Sequence, residues 1–401
     1  MFLGTVILIV CAAVMIWLLS PRMRHSDTWR AIATPLASII GSGFLIVGPL
    51  LGATVGAWAP VAMAGIVLLA YGVGACVRYQ IRVTEALLAE DDPSPVLQGL
   101  ERASGPTLAV AYVISVAFYL RLLSAFALSP LTLDDHVLAE RALTTAVLVG
   151  IGVWGMARGL EALESLEDLA VSLKLAIIAA LLVGVSAYDW EALRAGTVTL
   201  PTAPPNTPLH TVRVLAGLLL VVQGFETSRY LGAEYTAEVR ARTMKIAQWV
   251  SGAIYVVFVA LCVPLLANAP ASADETAVIQ MTAVVHPLLP HMLLVAALMS
   301  QFSAAVADTI GGGGLIHELT RSRVSVGLGY GILLALAAAL TWTANIFEVI
   351  SLASRAFALY YALQATSAAV VAHRRSDPRA WGFGALALLL VAIVVFAVPA
   401  D

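Results

Sequence analysis

The feature that most constrains this chain is a series of apolar runs, each about twenty residues long, with short polar segments between them. Bilayer hydrocarbon is about 30 Å thick, and a helix of about 20 apolar residues crosses it. The composition agrees, because 60% of the residues are hydrophobic and 12% are charged, whereas soluble domains have about 25% charged residues. These observations predict an all-α polytopic membrane protein.

The apolar runs predict about twelve transmembrane helices, each near the length needed to span the bilayer. Their expected ranges are 2–19, 31–52, 58–79, 107–128, 141–157, 169–187, 210–232, 245–267, 288–309, 325–342, 345–371 and 380–399. The first helix has no basic residue before it and no small-residue cleavage site after it, so we expect it to be retained. Segment 84–104 is amphipathic and is expected at the cytoplasmic interface, and 273–286 is expected to form a short external helix.

The loop arginines predict the orientation, because cytoplasmic loops carry an excess of Lys and Arg. Most loop arginines fall on the same side as segment 22–30, and only Arg141, Arg194 and Arg213 fall on the other side. We therefore expect an integral protein of a bacterial cytoplasmic membrane, with segment 22–30 in the cytoplasm and both termini outside.

Two predicted helices carry glycine-rich interruptions. One contains Gly41-Ser42-Gly43, and the other contains Gly224 followed closely by Glu226. Glycine costs about 1 kcal/mol relative to alanine inside a helix, and non-helical backbone at membrane depth is tolerated only within protein or beside a water-filled cavity. Close helix packing through small residues is the alternative explanation. Interruptions at matching positions of two halves are the best sequence pointer to the binding site of a secondary transporter.

Each interrupted helix begins a group of about five helices, and an odd number per group inverts one group relative to the other. The chain then divides into an extra N-terminal helix with a basic loop (1–30), a first five-helix repeat (31–187), an extracellular loop (188–209), a second five-helix repeat (210–375) and a C-terminal helix (376–401).

Both interruptions lie within longer motifs. IIGSGFLIVGP, residues 39–49, resembles the first-helix motif of the amino acid–polyamine–organocation (APC) transporters, and QGFETSRYLGAE, residues 223–234, is similar to their sixth-helix motif. VRARTMKIA and YYALQATSAAVVAHRR resemble the loop that follows and the tenth helix. The resemblance covers residues 31–375. It implies the LeuT-type fold of two inverted five-helix repeats, here with one extra N-terminal and one C-terminal helix.

The resemblance also implies a substrate site between the two interruptions. Ser42 and Gly43 match positions whose amide groups hold a substrate carboxylate, and Ile39 matches a position whose carbonyl takes the substrate's amino group. The second interruption completes this pocket through Gln223, Gly224 and Phe225. The physics agrees, because the N-terminus of a half-helix presents unpaired N–H groups and a positive dipole to an anion.

Charged side chains at membrane depth are costly and indicate function by default. By the resemblance, Lys174 matches a fifth-helix lysine that replaces a sodium ion in proton-coupled members; the alternative is snorkelling to the cytoplasmic surface. Glu226 is a candidate for proton uptake, or for a structural ion pair with Arg229 three residues later. Arg121 lies mid-helix and is a candidate to bind a substrate anion or to neutralise Glu226.

Helix 288–309 carries further candidates for coupling. The resemblance implies hydroxyl ligands for sodium here in sodium-coupled members, and Ser300 and Ser303 share one face; the alternative is close packing through small residues. Asp308 precedes Gly311–Gly314, which we expect to end the helix or to form a cytoplasmic hinge. The cysteines and histidines lack the spacing of a metal site. We expect no metal and no cofactor, with a proton or sodium as the coupling ion.

These features favour a secondary active transporter that moves an amino acid or a related amine by alternating access, with proton coupling or exchange. The alternative is an inorganic-ion or organic-cation transporter on the same fold, for potassium or a polyamine, in which Glu226 and Asp308 bind the cation. No intramembrane protease or hydrolase motif occurs in the helices, so we expect no enzyme. The expected partners are a small-molecule substrate and the lipid bilayer, with no nucleic acid, and the oligomeric state stays open.

Overall fold

A computed structural model describes residues 2–41, 43–88, 94–131, 135–158, 167–202, 206–231, 235–266 and 277–398. Every regular element in these ranges is helical. Within them, nine helical segments are long and apolar enough to cross a membrane. The prediction of an all-α polytopic membrane protein is therefore confirmed, while the inverted five-plus-five repeat stays a prediction.

The principal helices of the first half are α1 (Phe2–Leu18), α2 (Asp27–Ile39), α3 (Gly43–Val55), α4 (Ala59–Tyr79), α5 (Pro95–Leu128), α6 (His136–Arg158) and α7 (Glu167–Ala195). Those of the second half are α8 (Pro208–Ala216), α9 (Ala237–Leu266), α10 (Leu288–Leu319), α11 (Val326–Thr343), α12 (Ile346–Arg374) and α13 (Arg379–Phe396). Shorter turns lie at Pro21–Arg24, Gly56–Trp58, Gln80–Thr84, Glu85–Leu88, Leu219–Val222, Phe225–Tyr230 and Ala277–Ala283. The last of these is the short helix expected within 273–286.

Both predicted interruptions are breaks in the helices. α2 ends at Ile39, and α3 begins at Gly43. In the second half, α8 ends at Ala216 and the chain continues as 3₁₀ turns on either side of Gly224. Gly224 has φ +115°, a conformation that glycine adopts readily because it lacks a Cβ. The second break therefore depends on a glycine at this position.

The start of α5 differs from the prediction. The helix predicted over 107–128 begins earlier, because α5 runs unbroken from Pro95 to Leu128 and includes residues 95–104 of the amphipathic segment. Proline suits the first helical turn because its missing N–H would have no partner there. Leu97 and Ser104 are buried, while Val96, Gly99 and Arg102 are exposed, so one face of this part of α5 packs on the bundle.

The four glycines Gly311–Gly314 do not end a helix, because α10 continues through them to Leu319. A Cβ on Gly312 would lie 2.2 Å from Leu333, and a Cβ on Gly313 would lie 2.2 Å from Tyr330. Small residues let helices approach closely within a membrane. Gly312 and Gly313 therefore form part of the contact between α10 and α11. The expected helix end was wrong, and a hinge at these glycines stays a prediction.

The centre of the bundle is formed by α5, α10 and α12, and α5 packs extensively against both of the others. The two additional helices lie at the side, with α1 packed on α7 and α13 packed on α12. Large apolar side chains such as Trp381 and Leu388 on α13 remain exposed. An apolar outer face of this kind suits contact with lipid.

Candidate functional site between two helix breaks

The two helix breaks lie directly against each other. A Cβ on Gly43, the first residue of α3, would lie 2.6 Å from both Cα and the carbonyl oxygen of Val221. A Cβ on Gly224 would lie 2.3 Å from the hydroxyl oxygen of Ser38 on α2. Backbone meets backbone at both points, so a larger residue at either glycine would push the breaks apart.

Five of the predicted substrate residues lie at these breaks in the described part of the chain. Ile39 is the last residue of α2 and Gly43 is the first of α3, while Ser42 lies outside the described residues. In the second break, Gln223, Gly224 and Phe225 are consecutive and adjoin the 3₁₀ turns. A cavity of about 10 Å³ beside Ile39, Val222 and Tyr255 is the size of about one water molecule.

Tyr255 of α9 joins the two breaks, although its sequence context gave no sign of this. Its hydroxyl lies 2.9 Å from the carbonyl oxygen of Ile39 and 2.7 Å from that of Val221. The side chain is completely buried. The only available signal was a tyrosine within the apolar run IYVVFVALC, which in most helices indicates packing.

Lys174 of α7 lies at the end of α2. Its ammonium donates a hydrogen bond to the carbonyl oxygen of Ala37 at 2.7 Å, and the residue is only 5% exposed. The last carbonyls of a helix have no partner within the helix, and the negative end of the dipole favours a cation there. The structure therefore places Lys174 at the first break, and a lysine this buried is not snorkelling to the surface.

Glu226 is held within the second break. One oxygen of its carboxylate accepts hydrogen bonds from the Gly224 N–H at 3.0 Å and from the Tyr361 hydroxyl at 2.6 Å. The Phe225 ring stacks on Tyr361 with ring centroids 5.2 Å apart. Gln223 donates to the Tyr119 hydroxyl of α5 at 3.1 Å. The second break is thus connected through polar side chains to both α5 and α12.

Asp308 of α10 extends this polar region along α5. Its carboxylate accepts a hydrogen bond from Ser115, and Ser115 lies one helical turn from Tyr119. Asp308 and Glu226 are therefore at opposite ends of a buried polar belt. We use this name for Asp308, Ser115, Tyr119, Gln223, Tyr361 and Glu226.

The two predicted serines of α10 differ in burial. Ser300 is buried and Ser303 is partly buried. Within the described part of the chain, the Ser300 hydroxyl has no hydrogen-bond partner, and neither does the amide of Gln301 beside it. Unpaired buried polar atoms are rare in proteins. Gln301 was not a sequence candidate, because a single amide in an apolar run carries no motif.

Arg121 does not join the two breaks. Its guanidinium donates to the carbonyl oxygens of Thr341 at 3.0 Å and Ala344 at 3.3 Å, and it lies 3.9 Å from the carboxylate of Glu140. These carbonyls lie at the C-terminal end of α11, where a cation compensates the helix dipole. These contacts place Arg121 between α5, α6 and α11. Its binding of a substrate anion or neutralisation of Glu226 stays a prediction.

Arg229 pairs with acids from other helices. Its guanidinium lies 2.9 Å from Glu101 and 3.6 Å from Glu85, and it donates to Gln364 at 2.8 Å. Arg240 lies 2.7 Å from Glu85 and donates to the Arg229 carbonyl oxygen at 2.7 Å. These five residues, which we name the Arg229 cluster, fasten the second break to α5, α9 and α12.

Discontinuous helices whose broken ends meet inside an apolar bundle define a class of helical membrane transporters. This chain belongs to the APC superfamily of transporters, because the family described as "APC superfamily transporter" matches residues 21–397. An uncharacterized protein of Aquifex aeolicus (strain VF5) is 45% identical over 387 residues, which is 95% of this chain and 94% of the relative. The resemblance seen in the two motifs is thereby confirmed at the level of the family.

Proposed function

We propose that this protein is a secondary active transporter that moves an amino acid or a related amine across a bacterial cytoplasmic membrane by alternating access. The observation that carries this proposal is the meeting of two broken helices, with Lys174 at one broken end and Glu226 in the other. Both termini lie outside, as the loop arginines predict. Transport involves no covalent chemistry, so no residue has a catalytic role.

The substrate binds between the breaks through its two charged groups. Its carboxylate lies at the N-terminus of α3, where the amides of Gly43 and the next residues have no partner within the helix, and Ser42 completes this anion site. Its amino group binds the carbonyl oxygen of Ile39 at the end of α2. Val221 lies against Gly43 in the present conformation, so substrate entry requires the two breaks to separate.

Protons drive transport through Lys174. While its ammonium is protonated, it holds the Ala37 carbonyl and so fixes the end of α2. Loss of the proton removes the charge that the end of the helix favours, and α2 becomes free to move. Glu226 and Asp308 supply further proton sites on the polar belt. If sodium is the coupling ion instead, Ser300 and Ser303 provide its hydroxyl ligands.

A second candidate is transport of an organic or inorganic cation, such as a polyamine or potassium. The observation that favours it is the pair of buried acids, Glu226 and Asp308, which both belong to the polar belt. Two carboxylates in a low-dielectric interior attract a cation more strongly than they would in water. On this alternative the acids hold the substrate, and the N-terminus of α3 has no ligand role.

A thermal-shift screen of the purified full-length protein separates the two candidates. The ligands are the twenty amino acids, a set of amines including spermidine, and the chlorides of sodium and potassium, each at pH 5.5 and pH 7.5. A ligand that binds only the folded state raises its stability by about 2.7 kcal/mol at a hundred times Kd. We expect an amino acid or a monoamine to raise Tm. A shift with spermidine or potassium alone would support the cation transporter and reject the amino acid proposal.

A further inference from the structure

The hydroxyl of Tyr255 is shared between two broken helices. Its oxygen lies within hydrogen-bond distance of the carbonyl oxygen of Ile39, at the end of α2, and of Val221, in the 3₁₀ turn before the second break. A tyrosine hydroxyl has one proton to donate. The two carbonyl oxygens therefore compete for a single donor.

Both carbonyls need that donor. The Ile39 carbonyl is among the last four of α2, which lack partners within the helix, and Val221 lies where regular helix has already ended. Buried backbone oxygens are almost always paired, because an unpaired one costs free energy. Whichever carbonyl loses the Tyr255 proton is ready to accept another donor.

The tyrosine ring is held in place by aromatic neighbours. The Phe44 ring of α3 meets it edge-on with centroids 5.6 Å apart and an interplanar angle of 68°. Phe44 also lies 4.2 Å from Phe258, one turn along α9 from Tyr255. Phe44 follows Gly43 directly at the start of α3. The Tyr255 ring therefore contacts α3, while the Tyr255 hydroxyl contacts the end of α2 and the turn before the second break.

We propose that Tyr255 is a positioning residue that couples the two breaks through its single proton. In the empty site the proton is divided between Ile39 and Val221. When the ammonium group of a substrate binds the Ile39 carbonyl, the hydroxyl donates entirely to Val221, and the second break becomes ordered together with the first. This inference rests on the proposed function only in the step that involves the ammonium.

The test uses the full-length Tyr255→Phe variant, which keeps the ring and removes the hydroxyl, and hydrogen exchange measured by mass spectrometry. Without ligand, we expect peptides covering residues 36–45 and 217–226 to exchange several-fold faster than in the wild type, while α11 is unchanged. Tyr79→Phe is the matched control, because Tyr79 is equally well buried at the end of α4 but packs on Phe383. Unchanged exchange at both breaks, or equal acceleration throughout the chain, would show that the Tyr255 hydroxyl does not join the two breaks.

A second arm adds an equimolar mixture of the twenty amino acids. We expect the mixture to slow exchange at both breaks of the wild type, but only at residues 36–45 of Tyr255→Phe. Equal protection of both breaks in the two proteins would overturn the coupling. A third outcome is accelerated exchange in the variant without ligand while the mixture protects neither protein. That result would support the role of the Tyr255 hydroxyl in joining the breaks and would reject an amino acid as the substrate.

Discussion

At the scale of single residues, the breaks depend on two glycines, which lack a side chain, and on two side chains that donate hydrogen bonds to backbone carbonyls. Gly43 and Gly224 lie against backbone atoms of the opposite break, and backbone cannot rotate away as a flexible side chain can. Lys174 and Tyr255 supply donors to carbonyls that the broken helix leaves unpaired. Lys174 and Tyr255 thus supply the hydrogen bonds that a continuous helix would have given to these carbonyls.

We expect Gly43→Ala to destabilise the protein, although alanine is the better helix former. The new Cβ would lie 2.6 Å from Val221 backbone atoms, and overpacking costs about 1–3 kcal/mol. Gly65→Ala is the matched control, because nothing lies within 4 Å of a Cβ there and alanine gains about 1 kcal/mol in a helix. Thermal unfolding in detergent should give Tm changes of opposite sign. A raised Tm for Gly43→Ala would contradict the close approach of the breaks.

We expect Lys174→Gln to reduce uptake driven by an imposed pH gradient by about tenfold or more, which is equivalent to about 1.4 kcal/mol. Glutamine keeps a hydrogen-bond donor for the Ala37 carbonyl but has no charge to gain or lose. Lys245→Gln, at an exposed position of α9, is the matched control. The measurement is uptake into proteoliposomes of the amino acid that gives the largest thermal shift. Uptake with unaltered pH dependence in Lys174→Gln would exclude this lysine from coupling.

At the scale of helices, two elements behave differently from their local sequence. α10 passes through four consecutive glycines, and α11 packs closely on Gly312 and Gly313. α8 ends at Ala216, and its end is completed by a distant segment: the Val398 N–H donates to the Arg213 carbonyl oxygen at 3.1 Å. The chain after α13 therefore acts as the C-cap of α8, the first part of the second broken helix.

Removal of residues 397–401 should loosen α8. The truncated protein loses the Val398 donor and the Arg355 hydrogen bond to the Ala397 carbonyl, and a helix end without such partners frays. We expect faster hydrogen exchange over residues 208–217, with α5 unchanged. As a control, Trp381→Ala changes an exposed side chain at the other end of α13. Equal exchange over 208–217 in truncated and complete protein would show that the tail does not hold α8.

At the scale of the whole molecule, the Arg229 cluster joins the second break to its surroundings. Its two arginines and two acids tie that break to helices on three sides. Alternating access requires such contacts to form in one conformation and break in another. Under the proposed alternating access, we expect the cluster to be intact in one conformation and open in the other.

We expect Glu85→Gln to lower stability by on the order of 1–2 kcal/mol. Breaking a buried ion pair costs about 3–5 kcal/mol, and the effect is reduced here because the Glu85 side chain is 28% exposed. Glu238→Gln is the matched control: its pair with Arg82 is exposed on both sides, and such pairs contribute about 0–1 kcal/mol. Thermal unfolding at neutral pH gives both values. Equal small changes for the two variants would contradict a stabilising role for the cluster.

The sequence by itself determined the class of fold and the place of the breaks. Apolar runs of about twenty residues predict helices, because a helix satisfies its backbone groups within one segment. Gly41–Gly43 and Gly224 indicate where two of these helices are interrupted. Only the tertiary structure decided which side chains complete those breaks. Tyr255, the buried Lys174 contact and the actual partners of Arg121 and Arg229 depend on distances between helices far apart in the chain. Local sequence determines where a helix breaks and leaves backbone groups unpaired. The side chains that pair with these groups come from helices that only the tertiary packing places nearby.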